Sequence, residues 1–406
     1  MMNQGPLPHS EATDHKLIFD PVPFSGGSKI AVREMLALCN PDNVKFTVLT
    51  NNPASWSDKD TKDRLTVMSY SLPELIQTRV GGLGYWFKQL LLLLIICYTH
   101  IKLSLRGQKP SAILGISGPG VDLSIYLFKY LFNCKIIQLV QGPVAPSRSI
   151  GYCLTRADEV FYLSSSKPSI IAALHTHFNS SLSATTAKEI THFQVSCSRY
   201  VAFDNGLNKQ RWPTPCEYLE TNVFWAASLL KWKGLDILLE ASRIVRENVK
   251  LQYQICYIKP ESTNAEVSLT PIDEEGFHWF EKPGNLDEIR SRCSIFVSTS
   301  KNEPFGLSIL ESLAAGLCVV IPADNAYWDQ KLVNSENCIK YQPENPSSLA
   351  DALCQLAFNP RTIERVGQSG RKIAQRYEAS ISYRHIVESL EETTSEVISP
   401  VNRSSV

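Results

Sequence analysis

Glu303-Pro304-Phe305-Gly306-Leu307-Ser308-Ile309-Leu310-Glu311 lies between two different periodicities. Upstream, Cys293-Ser294-Ile295-Phe296-Val297-Ser298 is a short apolar run that predicts a strand; downstream, Leu310, Leu313, Ala314 and Leu317 recur at helical spacing. Glu303 is therefore expected in the turn at the carboxyl end of a strand, and Glu311 about a turn and a half into the next helix. Gly306 between them allows close backbone approach, and the free N–H groups of a helix start suit an anion. Carboxylates on either side of an anion cradle match the needs of a nucleotide sugar, whose hydroxyls require acceptors and whose diphosphate requires donors.

Outward from this segment, strands and helices alternate, which predicts α/β layers with parallel sheets. In the first half, Leu17–Phe19, Phe46–Thr50, Ala112–Ile116 and Ile136–Val140 read as strands, and Ile30–Leu38 and Leu123–Phe132 as helices. Thr155–Ser164 reads as a helix end and a strand. In the second half, Val223–Ala226, Leu251–Ile258 and Val319–Ile321 read as strands, and Leu235–Val245 and Leu349–Leu356 as helices. Asp204-Asn205-Gly206-Leu207 is strong turn chemistry and marks the boundary between the halves.

The composition, 44% apolar and 20% charged with formal net charge zero, is that of an ordinary globular chain and gives no electrostatic case for nucleic acid. Residues 1–200 carry 19 Lys and Arg against 13 Asp and Glu, and the remainder 21 against 27. A basic first half suits either a phosphate-bearing acceptor or an anionic membrane surface, or is surface scatter. Eleven cysteines, none spaced as Cys-x-x-Cys, with Cys97, Cys134, Cys256 and Cys318 in apolar stretches, fit a reducing cytoplasm. His175 and His177 have no ligand partners at zinc spacing. Met1 to Lys16 lacks the apolar core of a signal peptide.

Leu83 to Leu105 contains the uninterrupted apolar run Leu90–Tyr98, nine residues, short of the ~20 a spanning helix needs. Burial against the first-domain sheet is the first expectation. A helix in the bilayer interface, with Tyr85, Trp86 and Phe87 at its edge and Lys88, Lys102, Arg106 and Lys109 nearby, is the second. Asp58-Lys59-Asp60 sits in a charged stretch and is read as a solvated loop rather than a metal-binding Asp-x-Asp.

Glu303 to Glu311, with Phe-Gly-Leu inside and Ala314-Ala315-Gly316 behind, resembles the donor-site signature of family 4 glycosyltransferases, retaining enzymes of the GT-B fold. The resemblance covers roughly residues 16 to 390. It implies two Rossmann-like α/β/α domains facing across a cleft: a tail at 1–15, an acceptor domain at 16–204, a nucleotide-sugar donor domain at 205–375, a crossover helix at 376–392, and a tail at 393–406. By the same resemblance Glu303, Phe305, Gly306 and Leu307 face the donor sugar and pyrophosphate, and Glu311 the ribose. Ser228-Leu229-Leu230-Lys231-Trp232-Lys233-Gly234 is similar to the family's diphosphate-binding loop, with Lys233 over the phosphates. Ala227-Ser228 stands where the family has glycine and arginine, so one cation is missing unless Lys231 or a first-domain residue replaces it.

Ser25-Gly26-Gly27-Ser28 resembles the family's glycine-rich loop facing the acceptor and diphosphate. Gln141 follows a strand where many relatives have histidine; it cannot act as acid or base but can bond a sugar hydroxyl. Arg148 is a candidate acceptor or phosphate ligand. The segment around Phe280-Glu281-Lys282 is where the family's backbone meets the base. The resemblance implies a metal-independent hexosyltransferase without a cofactor, taking a nucleoside-diphosphate sugar and a glycan or lipid-linked acceptor, in cytoplasmic assembly of surface polysaccharide or glycolipid; the basic first half and the 83–105 segment add peripheral membrane contact as a further expectation. A non-catalytic GT-B scaffold and a sugar-nucleotide epimerase remain open alternatives.

Overall fold

The computed structural model describes residues 13–23, 26–57, 65–77, 79, 81–260 and 265–392. Ser25, the Asp58-Lys59-Asp60 segment and the terminal segments 1–12 and 393–406 lie outside the described residues.

The first half forms one parallel sheet. Its elements are β1 (Asp14–Asp20), α1 (Gly27–Leu36), β2 (Val44–Thr50), β3 (Leu65–Ser69), α2 (Glu74–Gln77), α3 (Gly82–Leu105), β4 (Ala112–Gly115), α4 (Leu123–Leu131), β5 (Lys135–Val140), α5 (Arg148–Arg156), β6 (Glu159–Leu163), α6 (Lys167–Phe178), α7 (Ala184–Ser196) and β7 (Tyr200–Phe203). The strand order is β3-β2-β1-β4-β5-β6-β7, so the direction of winding reverses between β1 and β4. β1 begins at Asp14, which shortens the expected 1–15 tail by two residues. Leu17, Ile18 and Phe19 are fully buried because helices cover both faces of the sheet, which is why the strand reads as a continuous apolar run rather than an alternation.

The second half repeats the plan with β8 (Asn222–Ser228), α8 (Leu235–Arg246), β9 (Gln252–Ile258), β10 (Phe277–Glu281), α9 (Leu286–Ser291), β11 (Ile295–Val297), α10 (Leu307–Ala315), β12 (Cys318–Pro322), α11 (Tyr327–Lys331), β13 (Ile339–Tyr341), α12 (Pro346–Ala357), α13 (Pro360–Ala374), α14 (Ala379–Ser382) and α15 (Arg384–Glu391). The order is β10-β9-β8-β11-β12-β13, all parallel, reversing between β8 and β11. α8 shows why such helices dock: Leu235, Leu238, Leu239, Ser242 and Val245 are buried at helical spacing on one face. Two elements that the sequence reading did not name, β10 and α9, lie between β9 and the Glu303 unit. β10 is a half-buried edge strand whose residues alternate poorly, so its period is hard to see.

The two domains are joined twice. The chain leaves β7 through Asp204–Leu207, and it returns through Tyr377–Tyr383; the crossings are latched by Leu207 N donating to Tyr377 O (2.8 Å) and Ala379 N donating to Leu207 O (2.9 Å). Gly206 is needed here, since a Cβ on it would lie 2.7 Å from Ala379 Cα. α15 then lies on the first domain, where Asn40 N donates to Glu391 Oε1 (2.5 Å) and Lys16 Nζ to Glu392 O (3.4 Å).

α3 is only half interior. Gln89, Leu92, Ile96, Thr99, His100 and Leu103 are buried against the domain, while the opposite face is open. The expectation of a buried helix therefore holds for one side of it.

Candidate functional site

Ligands in open α/β sheets bind beyond the carboxyl ends of the strands, where the winding reverses. In the second domain that point lies between β8 and β11, and the predicted residues come from these two strands. Beyond β8, Ser228 ends the strand and a single turn, Lys231–Lys233, is stopped by Gly234 in the left-handed conformation (φ 70°). Beyond β11, the chain runs through Thr299 to Gly306.

The two loops are fastened together. Thr299 Oγ1 donates to Lys233 O (2.7 Å), Trp225 Nε1 donates to Thr299 Oγ1 (3.0 Å), and Lys301 N donates to Trp232 O (2.9 Å). The fit at Gly234 is tight enough that a Cβ would come 2.2 Å from Thr299 O. Fixed in this way, Lys233 Nζ lies over the Trp232 ring (4.1 Å to its centre) and 2.5 Å from Glu303 Oε2. Asp324 holds the second loop by accepting from Asn302 N (2.9 Å), and steadies its own turn by accepting from Ala326 N (3.0 Å). A cavity of 240 Å³ beside it is lined by Thr299, Ser300, Asn302, Asp324 and Glu344.

Gly306 precedes α10 with φ 75°, and a Cβ there would lie 2.9 Å from Glu303 Cγ. The first turn of α10 offers N–H groups that have no intrahelical acceptor, an arrangement suited to anions. The Phe305 side chain is buried among Tyr327, Trp328 and Tyr377, with ring centres 4.9–6.1 Å away. Only its backbone can face a ligand. Glu311 is one quarter exposed and pairs with Arg290 (2.8 Å), which also contacts Asp287 (2.6 Å). Burial pushes the Glu311 carboxyl up and Arg290 opposes the shift.

Arg290 is a cation that sequence reasoning did not identify. It sits on α9, and Asp287-Glu288-Ile289-Arg290 has no distinctive pattern. Lys231, a candidate for the missing cation beside Ser228, is turned to Asp236 (2.8 Å) and half exposed.

The first domain meets this site through α1. Gly26, in extended conformation, precedes the helix, and a Cβ on Gly27 would lie 3.5 Å from Leu307 Cδ1. The amino ends of α1 and α10 thus face each other across the cleft. The start of α1 is anchored by Asp20, fully buried at the end of β1, which takes the Lys29 ammonium (2.8 Å), Trp56 Nε1 (2.8 Å) and Thr50 Oγ1 (3.0 Å). Burial lowers the Lys29 pKa, and Asp20 counters it.

Along the same edge, the residue directly after β2 is Asn51, after β3 Tyr70 and after β5 Gln141; Asp122 precedes α4 beyond β4. Asn51 Oδ1 and Nδ2, Tyr70 Oη, Gln141 Oε1 and Asp122 Oδ1 are buried polar atoms with no hydrogen-bond partner among the described residues. Gln141 Nε2 donates to Ile116 O (3.4 Å). Burial pushes the Asp122 carboxyl up to about 8 although Gln138 Nε2 and Ser117 N donate to it. Arg148 opens α5 and is exposed. Such an edge is fitted to a ligand with many hydroxyls, since unpaired buried polar groups are costly. Among the described residues, no cluster of three or more His, Cys, Asp or Glu side chains is arranged around a common metal position.

Comparison with known proteins agrees with this architecture. Residues 219–373 match the family described as glycosyl transferases group 1. The chain is similar to an uncharacterized glycosyltransferase of Methanocaldococcus jannaschii, 22% identical over 181 residues (44% of this chain, 50% of that one). It is also similar to alpha-maltose-1-phosphate synthase of Mycobacterium tuberculosis, 27% identical over 176 residues (39% of this chain, 44% of that one). The chain spans about half the length of these curated relatives. Among solved structures it resembles Anabaena HepE in complex with UDP-glucose, with TM-score 0.66, 15% identity, and coverage of 93% of this chain and 99% of that one. The fold is GT-B. The match to the glycosyl transferases group 1 family falls within the second domain.

Proposed function

We propose that this chain is a retaining glycosyltransferase, of the family 4 type, that moves a hexose from a nucleoside diphosphate to a hydroxyl acceptor. The observation that supports this most is the Lys233–Glu303 pair at the β8/β11 reversal, in the loop before α10, whose Leu307 meets Gly27 across the cleft. A donor diphosphate entering between α1 and α10 would take the Lys233 ammonium and the first-turn amides of α10. Those groups offset the negative charge that grows on the phosphate as it leaves. Glu303, released from Lys233, would then accept from the donor sugar hydroxyls and steady the positive charge developing at the anomeric carbon. Glu311, whose carboxyl burial pushes up and Arg290 draws back down, would accept from the ribose hydroxyls.

The acceptor would lie on the first domain, with Asn51, Tyr70, Asp122 and Gln141 as hydrogen-bond groups and Arg148 at the entrance. Its oxygen attacks the anomeric carbon on the face from which the phosphate departs. The new C–O bond forms as the sugar–phosphate bond breaks, and the acceptor proton passes to the departing phosphate oxygen. The electrostatic work is assigned to Lys233 and the helix amides, and no step is assigned to a metal ion. A cytoplasmic place in assembling surface polysaccharide or glycolipid fits this chemistry.

The test is nucleoside-diphosphate release from UDP-, GDP- and ADP-hexoses with hydroxyl acceptors, with NMR of the product anomer. Product of retained configuration is expected, with its formation strongly reduced in Lys233→Ala and Glu303→Gln. Inverted product refutes retention. Isomerised donor without acceptor indicates an epimerase, and absence of binding to any donor indicates a scaffold.

A further inference from the structure

We infer that the open face of α3 docks on an anionic membrane surface. Between Leu83 and Leu105, the residues exposed on this helix are Leu83, Trp86, Phe87, Leu90, Leu94, Tyr98, Ile101 and Leu105, from 49% exposed at Ile101 to 89% at Leu83. All are apolar or aromatic. Their spacing of three or four residues makes one stripe, about 33 Å long at 1.5 Å per residue. A single contiguous stripe of this kind is unlike scattered surface apolar residues and marks an interaction face.

Charge identifies the occupant. From Leu75 to Val121 the chain has no Asp or Glu, while Arg79, Lys102, Arg106 and Lys109 lie along and beside the helix. Arg79, Arg106 and Lys109 are exposed, and Lys102 lies over the Tyr98 ring (5.7 Å) at the border of the stripe. Apolar side chains with an aromatic fringe and uncompensated cations are the composition of a helix lying in the headgroup region. α3 is long and apolar enough to cross a membrane. Its other face nevertheless carries Gln89, Thr99 and His100 into the domain, so the helix lies on the surface and does not span it.

The placement relates the face to the cleft. Tyr85 Oη donates to Gly120 O (2.7 Å), Gln89 Nε2 donates to Val121 O (3.4 Å), and Gln89 Oε1 accepts from Ser124 N (3.0 Å). These bonds fasten the amino end of α3 to the β4–α4 loop that bears Asp122. A bilayer against α3 therefore borders the carboxyl edge of the first sheet, where an acceptor anchored in lipid would arrive. The docking itself does not depend on the transfer chemistry.

The experiment is co-sedimentation of the full chain with phosphatidylcholine vesicles containing about one third phosphatidylglycerol, against phosphatidylcholine alone, at low and high salt. Anionic vesicles are expected to bind the chain at least tenfold more tightly than neutral ones. Leu90→Ser with Leu94→Ser, both on exposed positions, and separately Arg106→Glu with Lys109→Glu, are each expected to weaken binding tenfold or more with the circular dichroism unchanged. Phe358→Ser, an exposed apolar position in the second domain, is the control expected to change nothing. A chain that stays in the supernatant overturns the inference, as does vesicle binding that the α3 variants leave intact. A dimer in solution that Leu90→Ser with Leu94→Ser dissolves, without loss of vesicle binding, would assign the face to a second copy instead.

Discussion

At the carboxyl edge of the second sheet the charged groups answer one another: Lys233 faces Glu303, and Arg290 faces Glu311. At the corresponding edge of the first sheet, Asn51, Tyr70, Asp122 and Gln141 hold buried polar atoms that no described group satisfies. The difference suits the two ligands proposed. A diphosphate needs charge held in place before it arrives, and a pair whose members can be exchanged for phosphate and hydroxyl supplies it. A hydroxylated acceptor needs neutral groups at several directions, each contributed by a different strand end.

The comparison is tested most severely on the charged side. Lys233→Ala and Glu303→Gln should each lower kcat by ~100-fold or more, the range for removing one electrostatic partner of a transition state. The circular dichroism spectrum should be unchanged. Near-normal turnover in both would break the assignment. Next, Gly234→Ala forces a side chain onto Thr299 O in a left-handed conformation and should cost about 1–3 kcal/mol, read as a lowered Tm. It should also lower turnover, because the same contact positions Lys233; an unchanged Tm would show that the two loops are not fastened as described.

On the neutral side, Asn51→Ala and Gln141→Ala should raise the acceptor KM about tenfold, in keeping with ~1–1.5 kcal/mol for a hydrogen bond, and leave the donor KM alone. Glu311→Gln should do the reverse. Equal effects on both substrates would merge the two edges into one site.

The smallest effect concerns pH. The Asp122 carboxyl rises from its ordinary 3.8 to about 8 in the folded chain. The folded state therefore holds this proton more tightly than the unfolded state. Its contribution to stability is complete below about pH 4 and is lost as pH climbs toward 8, with a slope of up to about 1.4 kcal/mol per pH unit. Asp122→Asn should remove that slope, so its Tm should gain on the parent between pH 5 and 8. Parallel Tm profiles would contradict the shift.

Much of the second edge was legible in the chain because its chemistry is contiguous. Glu303 to Glu311 lies within one strand–helix junction, where spacing exposes it, and Lys233-Gly234 lies within another, where the resemblance to the family's diphosphate-binding loop singled it out. Arg290 was not legible, since it comes from α9 and meets Glu311 only after the sheet has formed. The inward turn of the Phe305 side chain was hidden for a similar reason: its aromatic neighbours Tyr327, Trp328 and Tyr377 are 22 to 72 residues further along. The first edge was least legible. Asn51, Tyr70 and Asp122 each follow a different strand, and nothing in their own neighbourhoods distinguishes them from ordinary loop residues. The pattern of α3 showed an apolar segment, but only packing separates the face that meets the sheet from the face that meets solvent.

The most direct test of the central claim is thermal unfolding of the parent chain and of Lys233→Ala with UDP-, GDP- and ADP-hexoses at millimolar concentration. One nucleotide class is predicted to raise the Tm of the parent, as any ligand selective for the folded state does, and to raise that of Lys233→Ala far less. An equal rise in both proteins, or no rise with any donor, would contradict a nucleotide-sugar site built on Lys233 and Glu303.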